Sequence, residues 1–203
     1  DLILLDVDNG PAALIHDARG DLDGALDFYR QALAALERIP GPPFFEHAIS
    51  QSNIATVLRI RGQYPESERL YNEALATLEK TLGPDDATFV APMLANLADL
   101  HRLEGRIAEA DREINRSLDL LAAKFPRDHP LFGWAEAVHG LVLLESGHVT
   151  EGEASLRRAL DVCRRSFRPN DRRTALTEAE LGHCLAIEHR YVEAEPLLVE
   201  GSE

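Results

Sequence analysis

A short motif recurs five times along this chain at an almost constant spacing: an anchor residue, usually Gly, is followed four and five residues later by a pair of acidic or small residues. The anchors are Gly20, Gly62, Gly105, Gly147 and His189, separated by 42, 43, 42 and 42 residues. A fixed period in this range is typical of proteins built from stacked repeats, in which each unit packs against its neighbours. Such arrays provide extended binding surfaces more often than catalytic pockets, so the motif constrains both fold and function.

Within each unit, apolar residues follow a helical period on both sides of the anchor. In the second unit, a first helix is predicted over 49–61 and ends at Gly62, and a second helix runs from about Pro65, which suits a first helical turn, to Leu82. The same plan predicts helices over 91–103, 107–125, 134–145, 150–167 and 174–188, with a last one beginning near Val192. In the first unit, Asn9-Gly10-Pro11 predicts a late, short first helix, followed by a second over 23–39.

Small residues occupy two further positions of the repeat, where the two helices of a unit are expected to touch. Seven residues before the anchors lie Ala13, Ala55, Ala98, Gly140 and Gly182, and twelve residues after them lie Ala32, Ala74, Ser117, Ala159 and Gly201. Since the distance between two packed helices depends on the side chains at their contact, these positions predict close helix pairs.

The composition disfavours several classes of partner. The formal net charge is −14, whereas nucleic acids and anionic membranes are bound by clustered positive charge. No apolar run approaches the roughly 18 residues of a membrane span, and the acidic residues around positions 2–5 do not suit a secretory signal. Cys163 and Cys184 are the two cysteines of the chain and belong to no metal or redox motif, which favours a reducing cytosol and predicts a cytoplasmic protein.

No group of residues has the spacing of a catalytic or metal site. His101 with Glu104, and His183 with His189, lack the spacing that places two ligands on one helix face with a third nearby. No Ser or Cys lies in a nucleophile motif. We therefore predict no catalysis, no cofactor and no metal. The chain also lacks an initiator Met and stops inside a repeat, which predicts a fragment of a longer protein.

The repeated residues resemble the tetratricopeptide repeat (TPR) family, in the variety with the 42-residue period seen here that is found in kinesin light chains. The resemblance rests on Asn53-Ile54-Ala55, the segment 62–68, Leu70-Tyr71 and Ala74-Leu75, and on Asn96-Leu97-Ala98 and Gly105-Arg106. It implies an all-α fold, a right-handed superhelical solenoid of antiparallel helix pairs. It places a single array of repeats at about 4–45, 46–88, 89–131 and 132–173, with a partial one at 174–203.

The resemblance further implies a protein–protein interaction scaffold whose first helices line a concave groove for a peptide or partner segment, without catalysis. The implied partner-binding residues are Asn53, Thr56, Arg59, Asn96, Asp99, Arg102, Trp134, Leu141 and His183. The equivalent Asn and Arg pairs of units two and three suit a peptide backbone and carboxylates, and Trp134 and Leu141 add an apolar stretch in unit four. An acidic peptide with a bulky apolar anchor would fit this groove.

Simpler roles are open for the same residues. The Asn side chains could bond only to the backbone of a neighbouring helix, Arg59 and Arg102 could pair only with carboxylates such as Asp99, and Trp134 could pack only between repeats. Seven arginines form either a docking patch for an acidic domain or phosphate, or a solvated salt-bridged face: Arg157, Arg158, Arg164, Arg165, Arg168, Arg172 and Arg173.

Two other functions are open as well. The array could be the regulatory region of a multidomain bacterial signalling protein such as a Ser/Thr kinase, or of a peptide-sensing transcription regulator. An incomplete fifth unit would leave an apolar face uncovered, which predicts self-association.

Overall fold

The computed structural model describes residues 22–39, 45–169 and 171–200, and within these ranges the chain forms helices and short turns without strands. The helices are α1 (Leu22–Leu36), α2 (Phe45–Ile60), α3 (Tyr64–Leu82), α4 (Val90–Leu103), α5 (Ile107–Lys124), α6 (Leu131–Glu145), α7 (Val149–Ser166), α8 (Arg172–Ile187) and α9 (Tyr191–Glu200). The all-α fold is confirmed, and the predicted helix ends differ from these by a few residues. The first helix predicted for unit one, with Gly20, lies outside the described residues.

The helices pack in consecutive pairs around the anchors. The pairs α2–α3, α4–α5, α6–α7 and α8–α9 have the largest contacts, and each second helix also packs against the first helix of the next unit. Direct contacts join the first helices α2, α4, α6 and α8 in succession, whereas successive second helices are not packed together to a comparable extent. The first helices therefore lie on the inner side of the solenoid. None of the described helices is both long and apolar enough to cross a bilayer.

In units two to five, each first helix ends in the same backbone turn, which the anchor residue makes possible. Gly62, Gly105 and Gly147 have φ angles of 71°, 74° and 82°. The N–H after Gly105 donates to the carbonyl of His101 at 2.8 Å, and the N–H of Gly105 itself donates to the carbonyl of Arg102 at 2.9 Å. These two bonds define the Schellman motif, which favours Gly because of its left-handed backbone. His189 makes the same turn at a φ of 61°, so it does take the anchor position.

Replacing His189 by Gly is expected to raise the free energy of unfolding by about 0.5–1 kcal/mol, because a side chain in the left-handed region destabilises the turn. Urea unfolding followed by circular dichroism measures the change. The reciprocal variant Gly105→His serves as the control and is expected to lose about 1 kcal/mol. A less stable His189→Gly protein would mean that the contact of the His189 ring with the Tyr191 hydroxyl, 2.8 Å away, outweighs the backbone effect.

Small residues lie where the two helices of a unit cross, as predicted. In unit two the Ser67 hydroxyl donates to the carbonyl of Ala55 at 2.7 Å. In unit four a Cβ added to Gly140 would lie 3.0 Å from the carbonyl oxygen of Gly152. The residue seven before the anchor thus meets the residue five after it, which belongs to the recurring motif itself. Ala13 and Gly201 lie outside the described residues.

Candidate binding surface on the first helices

The implied partner-binding residues all lie on the first helices. They are Asn53, Thr56 and Arg59 on α2, Asn96, Asp99 and Arg102 on α4, Trp134 and Leu141 on α6, and His183 on α8. Their exposure differs: the three on α2, together with Asn96 and Asp99, are buried, Arg102, Trp134 and Leu141 are partly exposed, and His183 is exposed. The structure therefore places the set on the first helices but leaves only part of it open to a partner.

A chain of ion pairs crosses three first helices. Arg59 on α2 pairs with Asp99 on α4. Asp99 also accepts hydrogen bonds from Nε and Nη2 of Arg102 at 3.0 and 2.8 Å. Arg102 Nη1 donates in turn to Glu145 Oε1 on α6 at 2.5 Å. Pairing with carboxylates, the simpler role left open for both arginines, is confirmed, so the cationic stretch expected over units two and three is balanced by acidic side chains.

The ion pairs are progressively more exposed from α2 to α6. The exposed fraction of the side chain is 8% for Arg59 and 2% for Asp99, but 15% for Arg102 and 40% for Glu145. Burial alone would lower the pKa of Arg59, but the charge of Asp99 and the nearby Tyr71 hydroxyl raise it overall. The pKa of Arg102 is raised for a similar reason, since Asp99 and Glu145 outweigh its burial. Both guanidinium groups are therefore charged at any pH at which the protein is folded.

Thr56 belongs to the packing between α2 and α3. Its hydroxyl donates to the carbonyl of Ser52 at 2.9 Å and lies 2.7 Å from the Tyr71 hydroxyl, which must therefore be the donor of the second bond. Thr56 is 2% exposed and Asn53 is 6% exposed. Direct contact of either side chain with a partner would require α2 to move.

Asn96 and Trp134 link units three and four. The indole Nε1 of Trp134 donates to Asn96 Oδ1 at 3.0 Å. The simpler role left open for Trp134, packing between repeats, is confirmed, whereas the partner of Asn96 is this indole and not the backbone of the neighbouring helix. The Trp134 ring is nevertheless only partly buried, so part of it is accessible from the inner side.

Besides Arg102 on α4, the accessible members of the set lie on α6 and α8. Trp134, Leu141 and Glu145 are seven and four residues apart, which places them on one stripe of α6. On α8, His183 is exposed and Glu180, one turn earlier, is partly buried. Burial raises the pKa of Glu180, an effect that the charge of Arg102 opposes. Glu145 was missed from the sequence because it lies outside the repeat positions of the implied site.

A second ionic network surrounds the turn after α4. Arg106 donates from Nε to Glu109 Oε1 at 2.9 Å, and from Nη1 to Glu68 Oε1 at 2.8 Å and Glu104 Oε2 at 3.0 Å. Glu68, His101 and Glu104 also place three potential metal ligands within 4.8 Å of one another. The guanidinium group of Arg106, however, already bridges the two carboxylates.

The same network recurs two units later around Arg190. Its Nε donates to Glu193 Oε1 at 2.8 Å, and its Nη1 donates to Glu153 Oε2 at 2.8 Å and Glu188 Oε2 at 3.1 Å. Leu185 occupies the place that corresponds to His101. Because the network forms equally well without a histidine, we interpret both copies as ion-pair links between units rather than metal centres.

Five of the seven clustered arginines form ion pairs. The pairs are Arg157–Glu153, Arg158–Glu136, Arg164–Glu178, Arg165–Asp161 and Arg173–Asp171. The salt-bridged face, one of the two interpretations left open by the sequence, is confirmed for these five. Arg168 and Arg172 are exposed.

Comparison with known proteins agrees with this architecture. Models of the tetratricopeptide repeat match residues 12–45 and 46–130, together more than half of the chain. The crystal structure of BtubC (BKLC) from P. vanneervenii superposes with a TM-score of 0.68 and 15% identity, over 95% of this chain and 75% of that one. That of a putative kinesin light chain with nearly identical TPR-like repeats, from Podosopora anserina, gives 0.62 and 18%, over 95% and 94%. No curated protein matches the chain by sequence.

The helix pairs, the anchor turns and these matches define the class of the protein as an all-α solenoid of TPR type. The chain belongs to the tetratricopeptide repeat family, and its fold is similar to that of the kinesin-light-chain-like repeats. Tetratricopeptide repeats serve as protein–protein interaction scaffolds and are in general not catalytic.

Proposed function

We propose that this chain binds a peptide segment of a partner protein along the inner side of its first helices. An acidic residue of the peptide pairs with Arg102, and a bulky apolar residue packs against Trp134 and Leu141. One observation carries the proposal: the partly open stripe of α6 begins with an apolar pair and ends at Glu145, the most exposed member of the ion-pair chain. The family's role as an interaction scaffold supports it.

The apolar part of the site follows from the partial burial of Trp134 and Leu141. A peptide side chain that covers both removes apolar surface from water, and full burial of one Leu or Phe side chain contributes about 1.5–3 kcal/mol. Trp134 suits this role because its Nε1–H is already bonded to Asn96, so that a partner needs to cover only the ring.

The acidic part of the site follows from the different exposure of the ion pairs. Asp99 is buried between two arginines, and removing it would leave buried charge unpaired. Glu145 can instead turn into water, because its side chain is 40% exposed, and a peptide carboxylate can then take its place on Arg102. We therefore assign the recognition of an acidic residue to Arg102 and not to Arg59.

Replacing Leu141 by Glu is expected to weaken peptide binding at least about tenfold, because the change puts a charge on the apolar contact. Trp134 is the only tryptophan of the chain, so its emission reports binding directly. The titration uses short peptides without Trp that carry one Phe and one Glu at varied spacing. Ala123→Glu, an exposed change on the second helix α5, is the matched control and leaves affinity unchanged.

The same titration separates the two parts of the site. Glu145→Gln is expected to strengthen binding of the Glu peptide several-fold and to leave its Gln analogue unchanged, because the variant no longer competes for Arg102. If a Lys analogue binds more tightly than the Glu peptide, the acidic preference is contradicted, but the apolar part of the site is not. Absence of saturable binding by every peptide, or equal loss in Leu141→Glu and Ala123→Glu, would contradict the site as a whole.

Three further expectations stay predictions: a single array over 1–203, a cytoplasmic location and self-association through the last unit. The prediction of self-association is supported by three apolar residues of α9: Tyr191, Val192 and Val199 are 60, 89 and 55% exposed.

A further inference from the structure

Unit three combines a His and a Glu at two matched positions of the repeat, a combination that the sequence of no other unit has. Four residues before the anchor lie Leu58, Leu143 and Leu185 in units two, four and five, but His16 in unit one and His101 in unit three. Eight residues after the anchor lie Phe28, Leu70, Ser155 and Leu197 in units one, two, four and five, but Glu113 in unit three. Leu58 and Leu70 share one apolar cluster, and Leu185 and Leu197 share another. A polar pair has thus replaced an apolar contact inside a single unit.

The two replaced residues bond to each other in a buried place. Nδ1 of His101 lies 2.7 Å from Glu113 Oε2 on α5, and the His101 side chain is 4% exposed. On the opposite side of the ring, Nε2 lies 3.1 Å from Glu68 Oε1 on α3, in the preceding unit. Both ring nitrogens therefore face a carboxylate oxygen.

A neutral imidazole cannot satisfy this geometry. It has one N–H donor and one lone pair, and the lone pair would face a carboxylate at hydrogen-bond distance. The imidazolium form donates to both oxygens. We propose that His101 is a proton-dependent clamp, whose protonated ring joins α3 of unit two to α4 and α5 of unit three, and whose deprotonation loosens this junction.

The charged groups around the ring support the protonated form. They are Glu68 from α3, Glu104 from the end of α4, Arg106 from the following turn, and Glu109 and Glu113 from α5. Burial lowers the pKa of His101, but the hydrogen bonds to Glu113 and Glu68 outweigh burial and the repulsion by Arg106, so that the pKa is raised. The hydrogen bond from Arg106 holds the pKa of Glu68 below its usual value, which keeps this carboxylate ionised in weakly acidic solution.

The direction of the pH effect follows from the raised pKa. A group that binds its proton more tightly in the folded state stabilises that state fully below its unfolded pKa, which is about 6.5 for His. The stabilisation is lost as the pH rises through the folded value. The junction between units two and three is therefore tightest in weakly acidic solution and loosens on the alkaline side.

Hydrogen exchange tests the proposal, because the molecule contains its own control. Segment 98–110 holds His101 and Arg106, and segment 182–194 holds the equivalent Leu185 and Arg190. After correction for the intrinsic exchange rate, the equilibrium constant for opening of segment 98–110 is expected to increase between about pH 6 and pH 8.5. The increase is up to about tenfold for each unit by which the pKa of His101 in the folded protein exceeds its pKa in the unfolded protein. Opening of 182–194 is expected to stay constant.

The double variant His101→Leu with Glu113→Leu turns unit three into the arrangement of unit five, with Arg106 and Glu68 still paired. It is expected to fold and to lose the pH response of segment 98–110. If it does not fold, His101→Gln, which cannot gain a proton, is expected to lose the response in the same way. A pH response shared equally by both segments of the natural protein, or one that persists in these variants, would overturn the proposal.

Discussion

Replacing Asp99 by Ala is expected to lower the free energy of unfolding by about 3–5 kcal/mol, the largest loss we anticipate for a single substitution in this protein. Asp99 is 2% exposed and lies between two guanidinium groups, of which that of Arg59 is 8% exposed. Without the carboxylate, the charge of Arg59 stays buried with no acidic partner. Urea unfolding followed by circular dichroism and by Trp134 emission measures the loss, the second signal being local to the neighbouring unit.

The exposed pair between Arg165 and Asp161 provides the matched control. Both side chains are more than half exposed, so Asp161→Ala removes the same chemical group at a cost under about 0.5 kcal/mol. The double variant Arg59→Met with Asp99→Ala is expected to lose less than Asp99→Ala alone, because no unpaired charge then stays on α2. Equal effects of Asp99→Ala and Asp161→Ala would contradict the buried ion-pair chain.

The positions that repeat in every unit could be predicted from the sequence because each reflects a constraint on the backbone. A left-handed turn must end each first helix, which selected Gly and allowed His189 to be placed as a fourth described example. Small residues must lie where two helices cross, which identified Ala55 and Gly140. These constraints act within one unit, so one sequence with several copies is sufficient to reveal them.

The choice of side-chain partners between units could not be predicted in the same way. Arg59 and Arg102 occupy equivalent positions, but their partners differ. Arg59 meets Asp99 of the next unit, whereas the residue equivalent to Asp99 one unit later is Leu141. Arg102 therefore turns back to Asp99 and forward to Glu145. Periodicity predicts the backbone position of an arginine. It does not predict the ion-pair partner, because a long flexible side chain can reach several acidic residues.

Departures from the repeat indicate side-chain contacts that belong to one unit alone. His101 and Glu113 lie twelve residues apart, at the positions of Leu58 and Leu70 in unit two, and a Leu in place of Glu113 would leave Nδ1 of the buried His101 without its carboxylate partner. Their joint occurrence in one unit is the signal by which the pair could have been found. A comparison of His101 with Glu104, its neighbour on the same helix, does not reveal this signal, because the pair becomes visible only when both positions are compared across the units.

Replacing Gly140 by Ala is expected to lower the free energy of unfolding by about 1–3 kcal/mol, although Ala stands at the equivalent position of units two and three. Ala is the better helix former by up to about 1 kcal/mol, so propensity and repeat consensus both favour the change. Packing opposes it. The added Cβ would lie 2.7 Å from Leu156 Cγ and 3.0 Å from the backbone oxygen of Gly152, and the second of these atoms cannot move without shifting α7.

The exposed Gly24 on α1 provides the control for this prediction, because Gly24→Ala adds the same methyl group at a helical position that is open to solvent. It is expected to leave stability unchanged or to raise it by up to about 1 kcal/mol. Adding Leu156→Ala to Gly140→Ala relieves the side-chain contact but not the contact with the Gly152 oxygen. We therefore expect the double variant to be no more stable than Gly140→Ala alone. A Gly140→Ala protein as stable as the natural one, by urea unfolding and Trp134 emission, would mean that α6 and α7 separate freely and that their close crossing is not required for the fourth unit to fold.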